Sequence, residues 1–153
     1  MNRPYHVGVI GSGACSPGHY ALAERVGFEI GKRRWTLICG GLGGVMEGAA
    51  KGCAEAGGMT VGLLPGLHRE RANAFIRIAV PTGLGDGRNL MIVRASDILV
   101  AISGGYGTLS EIALALKNGK KVIGLQSFED VEGMLSAADP EGVIDRLETC
   151  LTP

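Results

Sequence analysis

Aromatic residues are scarce in this chain: one Trp, three Tyr and three Phe make up 5% of 153 residues. Its core must therefore come from Val, Ile, Leu and Ala. Charge of either sign in excess is lacking too. Lys and Arg total 15, Asp and Glu total 15, and the formal net charge is zero. That argues against bulk binding to nucleic acid or to an anionic membrane, both of which need a basic surplus. No apolar run reaches the length of a bilayer span. Cys15, Cys39, Cys53 and Cys150 form no C-x-x-C pair, and His6, His19 and His68 fall at no metal-ligand spacing with them. They read as free thiols of a cytoplasmic protein, with no metal site. The first residues enter a strand pattern directly, so no signal peptide is expected.

Familiar nucleotide signatures are missing as well. There is no G-x-x-x-x-G-K-[ST] and no G-x-S-x-G, which disfavours P-loop NTPases and serine hydrolases. The dinucleotide fingerprint G-x-G-x-x-G/A fails at each candidate, where Ser16, Met46 and Ser110 occupy the last position. No acidic residue ends the second strand to hold a ribose, so an ordinary NAD enzyme is disfavoured.

What the chain has is glycine, 26 residues of it. Many cluster where an apolar run gives way to a helical pattern. His6 to Ile10 reads as a strand ending in Gly11-Ser12-Gly13, followed by a helix over Pro17 to Arg34. Trp35 to Cys39 is a second strand, Gly40 to Gly44 a glycine turn, and Val45 to Ala56 a helix of small residues. Met59 to Leu64 is a third strand. Gly66 to Ala74, the most charged stretch, reads as a surface loop with a helical turn. Phe75 to Val80 is a strand near an edge, because Arg77 interrupts it. Arg88 to Ala95 is a helix, Ser96 to Ile102 a strand, Thr108 to Asn118 a helix, and Val122 to Leu125 the last strand. Phe128 to Thr152 reads as helical, with Pro140 as a helix start.

Strands alternating with helices predict an α/β fold with a doubly wound parallel sheet. Length and the absence of a linker predict one domain over residues 1–153. In such a sheet all strand C-terminal ends share one edge, and ligands bind where strand order reverses. Three glycine turns at three strand ends then predict a phosphate- or nucleotide-sized site. The candidate ligand-binding residues are Gly11, Ser12 and Gly13, then Gly40, Gly41, Gly43, Gly44 and Met46, then Gly104, Gly105, Gly107 and Thr108. Glu111 has two readings. Thr108 and Glu111 have the T-x-x-E spacing of a capping box, in which the carboxylate closes a helix start. The same carboxylate, at the end of a phosphate-binding turn, could face a ligand.

GGLGGVMEGAAKG resembles the G-G-G-x-x-G-L-M-G segment of LOG-type proteins, and SGGYGTLSE resembles their P-G-G-x-G-T-x-x-E signature. Arg88 stands nine residues before Asp97, as the family's Arg stands before the Asp that opens the strand leading into the signature. The resemblance covers roughly Val7 to Leu125. It implies a Rossmann-like fold, often mislabelled lysine decarboxylase. It also implies hydrolysis of nucleoside 5′-monophosphates to base and ribose 5-phosphate, with Arg88 and Glu111 as the catalytic pair. It implies no required cofactor, and self-association as a dimer or tetramer. Ser103 stands in place of the signature's Pro, Asn89 in place of a Lys, and Glu47 in place of a Gly. The G-R-N around Arg88 and A-L-K-N-G-K-K-V-I-G-L look closer to a sister branch containing molybdenum-cofactor carriers. That branch implies a non-catalytic carrier of a phosphorylated pterin, the cofactor being cargo. Either way the expected partner is a small phosphorylated ligand.

Overall fold

The computed structural model describes residues 3–152. Seven parallel strands form one sheet in the order β4-β3-β2-β1-β5-β6-β7. In chain order the elements are β1 (His6–Gly11), α1 (Pro17–Lys32), β2 (Thr36–Cys39), α2 (Val45–Glu55), β3 (Met59–Leu64) and β4 (Ile78–Pro81). They continue with α3 (Arg88–Ala95), β5 (Ile98–Ile102), α4 (Tyr106–Lys117), β6 (Lys121–Leu125), β7 (Leu135–Ala137) and α5 (Pro140–Leu151). This is the expected α/β, Rossmann-like architecture.

The five residues of β5 are all buried, as are the four of β2. A strand covered on both faces has no room for polar alternation, which explains the continuous apolar runs. Its side chains divide between two cores. Val7, Val9, Val100 and Ile102 pack with α1, α2 and α5, whereas Ile10, Leu99 and Ala101 pack with α3 and α4.

Local chemistry sets the helix ends. Ser16 Oγ accepts from His19 N–H at 3.1 Å and Pro17 occupies the first turn of α1. Asp139 accepts from Gly142 N–H at 2.7 Å to start α5 at the expected Pro140. Helices α1 and α2 touch backbone to backbone. A Cβ at Gly27 would lie 2.0 Å from Ala49 O, and one at Gly52 would lie 1.9 Å from Glu24 O. The small residues of α2 therefore serve a contact inside this chain.

Two expectations need correction. Phe128 to Thr152 is not one helical region, because β7 intervenes and only Pro140–Leu151 is α-helical. Gly133 sits at φ +90°, and Met134 packs where a Cβ on Gly124 would lie, so this segment follows the sheet. The strand expected from Phe75 begins at Ile78. The Thr60 hydroxyl takes over the earlier backbone: it donates to Phe75 O at 2.6 Å and accepts from Arg77 N–H at 2.8 Å. The charged loop does contain a single turn, Arg69–Arg71, and it is exposed. Among the described residues no helix is long and apolar enough to cross a membrane.

Candidate functional site

From β1 the chain winds through β2 and β3 to β4, and from β5 it winds the other way through β6 to β7. Strand order reverses between β1 and β5, and a crevice opens beyond their C-terminal ends, as a doubly wound sheet requires. A cavity of about 370 Å³ lies there, in the size range of small-ligand sites. The first glycine turn lines it with Gly11, Ser12 and Gly13, and the second with Gly40, Leu42 and Met46. The start of α4 adds Gly105, Gly107, Thr108 and Glu111, while Asp86 just before α3 and Arg88, Asn89 and Ile92 within it complete the lining.

Two buried polar atoms in this crevice have no hydrogen-bond partner, Arg88 Nε and Glu111 Oε2. Buried polar groups are nearly always paired, so two orphans of opposite character on one cavity mark a place built for something else. Glu111 is 8% exposed. Burial raises its carboxyl to about 7, against the pull of Arg88 in the other direction. Burial likewise lowers the Arg88 guanidinium, with Glu111 opposing it. Arg88 Nη1 donates to Leu63 O at 3.1 Å and lies where a Cβ on Gly40 would stand, 1.8 Å away. Gly40 thus makes the bed for the guanidinium. Cys39 behind it is fully buried, and its thiol is pushed up to about 11 by that burial.

The capping-box reading of Glu111 does not hold. Helix α4 begins at Tyr106, its N-cap is Gly105, and no side chain caps it. Thr108 is already inside the first turn, so T-x-x-E here lies within the helix. The N–H groups at the helix start are left free of side-chain partners, and the helix dipole favours an anion there.

The glycines of the three turns do different work. Gly11, Gly41, Gly43 and Gly44 carry the chain past itself. At Gly44 the φ is +65° and a Cβ would lie 2.2 Å from Ser12 O. Gly104 gives way in the same manner to Thr108, 2.6 Å from its Cβ position. Gly41, Gly43, Gly44 and Gly104 shape the loops without lining the cavity. Gly105 and Gly107 differ: a Cβ on either would meet no protein atom within 4 Å. Asp86 was not among the candidates of the sequence reading, and Asn89 appeared there only as a departure from the family. The one signal that could have flagged both is their place beside Arg88 in a glycine-rich loop.

Residues 4–147 match the model of the SLOG cluster4 family. The chain belongs to that family. It is 35% identical to the molybdenum cofactor binding protein of Rippkaea orientalis, with a TM-score of 0.94 over 99% of this chain and 100% of that one. It is 34% identical to the molybdenum cofactor carrier protein of Chlamydomonas reinhardtii, with a TM-score of 0.91 over 99% and 100%. It is also 35% identical to a cytokinin riboside 5′-monophosphate phosphoribohydrolase of Mycobacterium tuberculosis, over 69% of this chain and 60% of that enzyme. The fold is therefore LOG-type, near the molybdenum-cofactor carrier branch.

Against that family background the three departures each have a local reading. Ser103 has φ 55°, which the pyrrolidine ring of a Pro cannot adopt. Glu47 accepts from the Tyr20 hydroxyl at 3.2 Å, tying α2 to α1. Asn89 lines the crevice. Two larger hollows lie elsewhere on this SLOG chain, of about 540 and 590 Å³. The charged groups around the first, Asp145 apart, are already paired, as in Arg25–Glu141 and Arg33–Glu148. Neither holds an orphaned buried atom.

Proposed function

We propose that this chain binds a small phosphorylated ligand in the β1/β5 crevice and carries it intact, the cargo being a phosphorylated pterin of the molybdenum-cofactor kind. The observation that carries the reading is the open backbone at Gly105 and Gly107. No contact within the protein needs glycine at either position, yet both line the crevice at a helix start. Removing two side chains there lets a phosphate reach the free N–H groups of α4 and the Thr108 hydroxyl. Ser12 and Gly13 face the same space from the first turn. Support for cargo comes from the similarity to the two molybdenum-cofactor proteins, which runs the full length of both chains. Cytoplasmic residence and self-association accompany this reading.

A second reading rests on Glu111. A buried carboxyl poised near pH 7 beside an arginine is what proton transfer at neutral pH requires. In that case the ligand is a nucleoside 5′-monophosphate. The N-glycosidic bond breaks, water adds to C1′, and the base leaves with a proton. Ionised Glu111 stabilises the oxocarbenium-like transition state or takes the proton from water, and Arg88 orients the nucleotide.

One experiment separates the two. The protein and Glu111→Gln are incubated with a panel of nucleoside 5′-monophosphates and with neopterin 3′-phosphate, released ribose 5-phosphate is assayed, and thermal unfolding is followed with each ligand present. Ligand protection of both proteins without turnover is the expected result. Turnover that disappears in Glu111→Gln would replace the carrier reading with the hydrolase. No protection by any phosphorylated ligand would remove both.

A further inference from the structure

The crevice is electrostatically uneven. The start of α4 offers N–H groups and the positive end of a helix, whereas on the α3 side the Arg88 guanidinium is accompanied by the exposed Asp86 carboxylate just before the helix and the Asn89 carboxamide in its first turn. Neither side chain is committed elsewhere, since among the described residues Asp86 and Asn89 enter no side-chain hydrogen bond or ion pair. A carboxylate repels a phosphate and accepts hydrogen bonds only. It makes sense in this cavity as the receiver of a donor-rich edge at the other end of the ligand. Leu42, Met46 and Ile92 supply apolar surface for a flat ring between the two ends. Glu111, buried and unpartnered on the same cavity, shows independently that the space is built for an occupant.

Resting on the phosphorylated-ligand reading, we propose that Asp86 and Asn89 recognise the 2-amino-4-oxo pyrimidine edge shared by guanine and pterins. The edge offers two adjacent N–H donors, the ring N–H and the exocyclic amine, which a single carboxylate can accept together. The neighbouring ring carbonyl accepts from the Asn89 amide. Adenine presents a bare ring nitrogen at the same place, so two acceptors would face each other and both would lose water. Hypoxanthine keeps the ring N–H but lacks the amine, which makes it the sharpest comparison.

Asp86 also has a simpler role open to it, as a negative charge that favours the charged form of Arg88. The two roles differ in what they predict. A charge acting through Arg88 alters all phosphorylated ligands alike, whereas an edge reader alters their ratio.

The test is calorimetric titration with GMP, IMP and ribose 5-phosphate of the wild-type protein, and with GMP and IMP of Asp86→Ala and Asp86→Asn. Thermal midpoints confirm that each exposed-site variant is folded. The wild type is expected to bind GMP about tenfold or more tighter than IMP, the worth of one charge-assisted hydrogen bond. That ratio is expected to collapse to about one in both variants. Ribose 5-phosphate bound by the wild type, with GMP and IMP equal, would overturn this proposal and leave the phosphate site standing. A ratio that survives both substitutions would overturn it as well. No binding of any of the three would remove the reading beneath it. Neopterin 3′-phosphate run beside GMP then shows whether the pterin or the nucleotide is the better-fitting source of that edge.

Discussion

A carboxyl group that titrates near 7 in the folded protein and near 4.5 when unfolded makes stability depend on pH. The folded state holds the Glu111 proton more tightly, so it is the ionised form that costs stability. That cost is absent below about pH 4.5, grows as pH rises towards 7, and is constant above. Glu111→Gln should therefore stabilise the protein at pH 8, by on the order of 3 kcal/mol, and leave it nearly unchanged at pH 4. Urea unfolding at the two pH values checks this. Ser103 offers a second residue-scale prediction. It holds φ 55° without being glycine, and among the described residues its side chain has no hydrogen-bond partner to offset the strain. Ser103→Gly should raise stability by about 1 kcal/mol, while Ser103→Pro should prevent the turn from forming; thermal midpoints of both variants decide. The sequence shows Arg88 and Glu111 as chemically able, but not that they face one cavity. T-x-x-E spacing looks the same at a helix start and one turn inside it. Only the position of Gly105 as N-cap separates the two.

Elements tell a similar story through their glycines. In the α1/α2 contact a methyl group has nowhere to go, since it would meet backbone at about 2 Å. Gly52→Ala should lower stability by about 3 kcal/mol, as overpacking against rigid atoms does. Gly107→Ala should do the reverse. Its site is open and helical, so alanine should add about 0.5–1 kcal/mol while weakening phosphate binding at least tenfold. Unfolding and ligand titration on the same two variants would expose a trade of stability for binding at one and its absence at the other. Most strands were readable because a twice-covered strand must be an unbroken apolar run. β7 was not readable: its three residues, half-buried Leu135 and Ala137 around exposed Ser136, are too few to show a period. The start of β4 was hidden for a different reason, because the Thr60 side chain bonds the backbone that pattern alone assigns to the strand.

At the scale of the molecule, alternating strands and helices disclosed a parallel sheet, and three glycine turns disclosed the edge at which the crevice opens. Strand order was not legible, because it depends on how two cores fill against each other. Val100 and Leu99, adjacent in sequence, belong to different cores. Strands β1 and β5 each have neighbours on both sides and helices on both faces, whereas β4 and β7 are sheet edges. Hydrogen exchange should therefore be slowest in β1 and β5 and fastest in β4 and β7, and amide protection factors along the chain check it. The glycines at 105 and 107 have a consequence over longer times. The fold itself would tolerate another residue there, so under the proposed function only the ligand's need for space keeps those positions empty. A lineage that lost its ligand would be free to fill them, while Gly27 and Gly52 would stay as they are. Positions 105 and 107 are thus a clock on disuse, readable in descendants whose structure is otherwise intact.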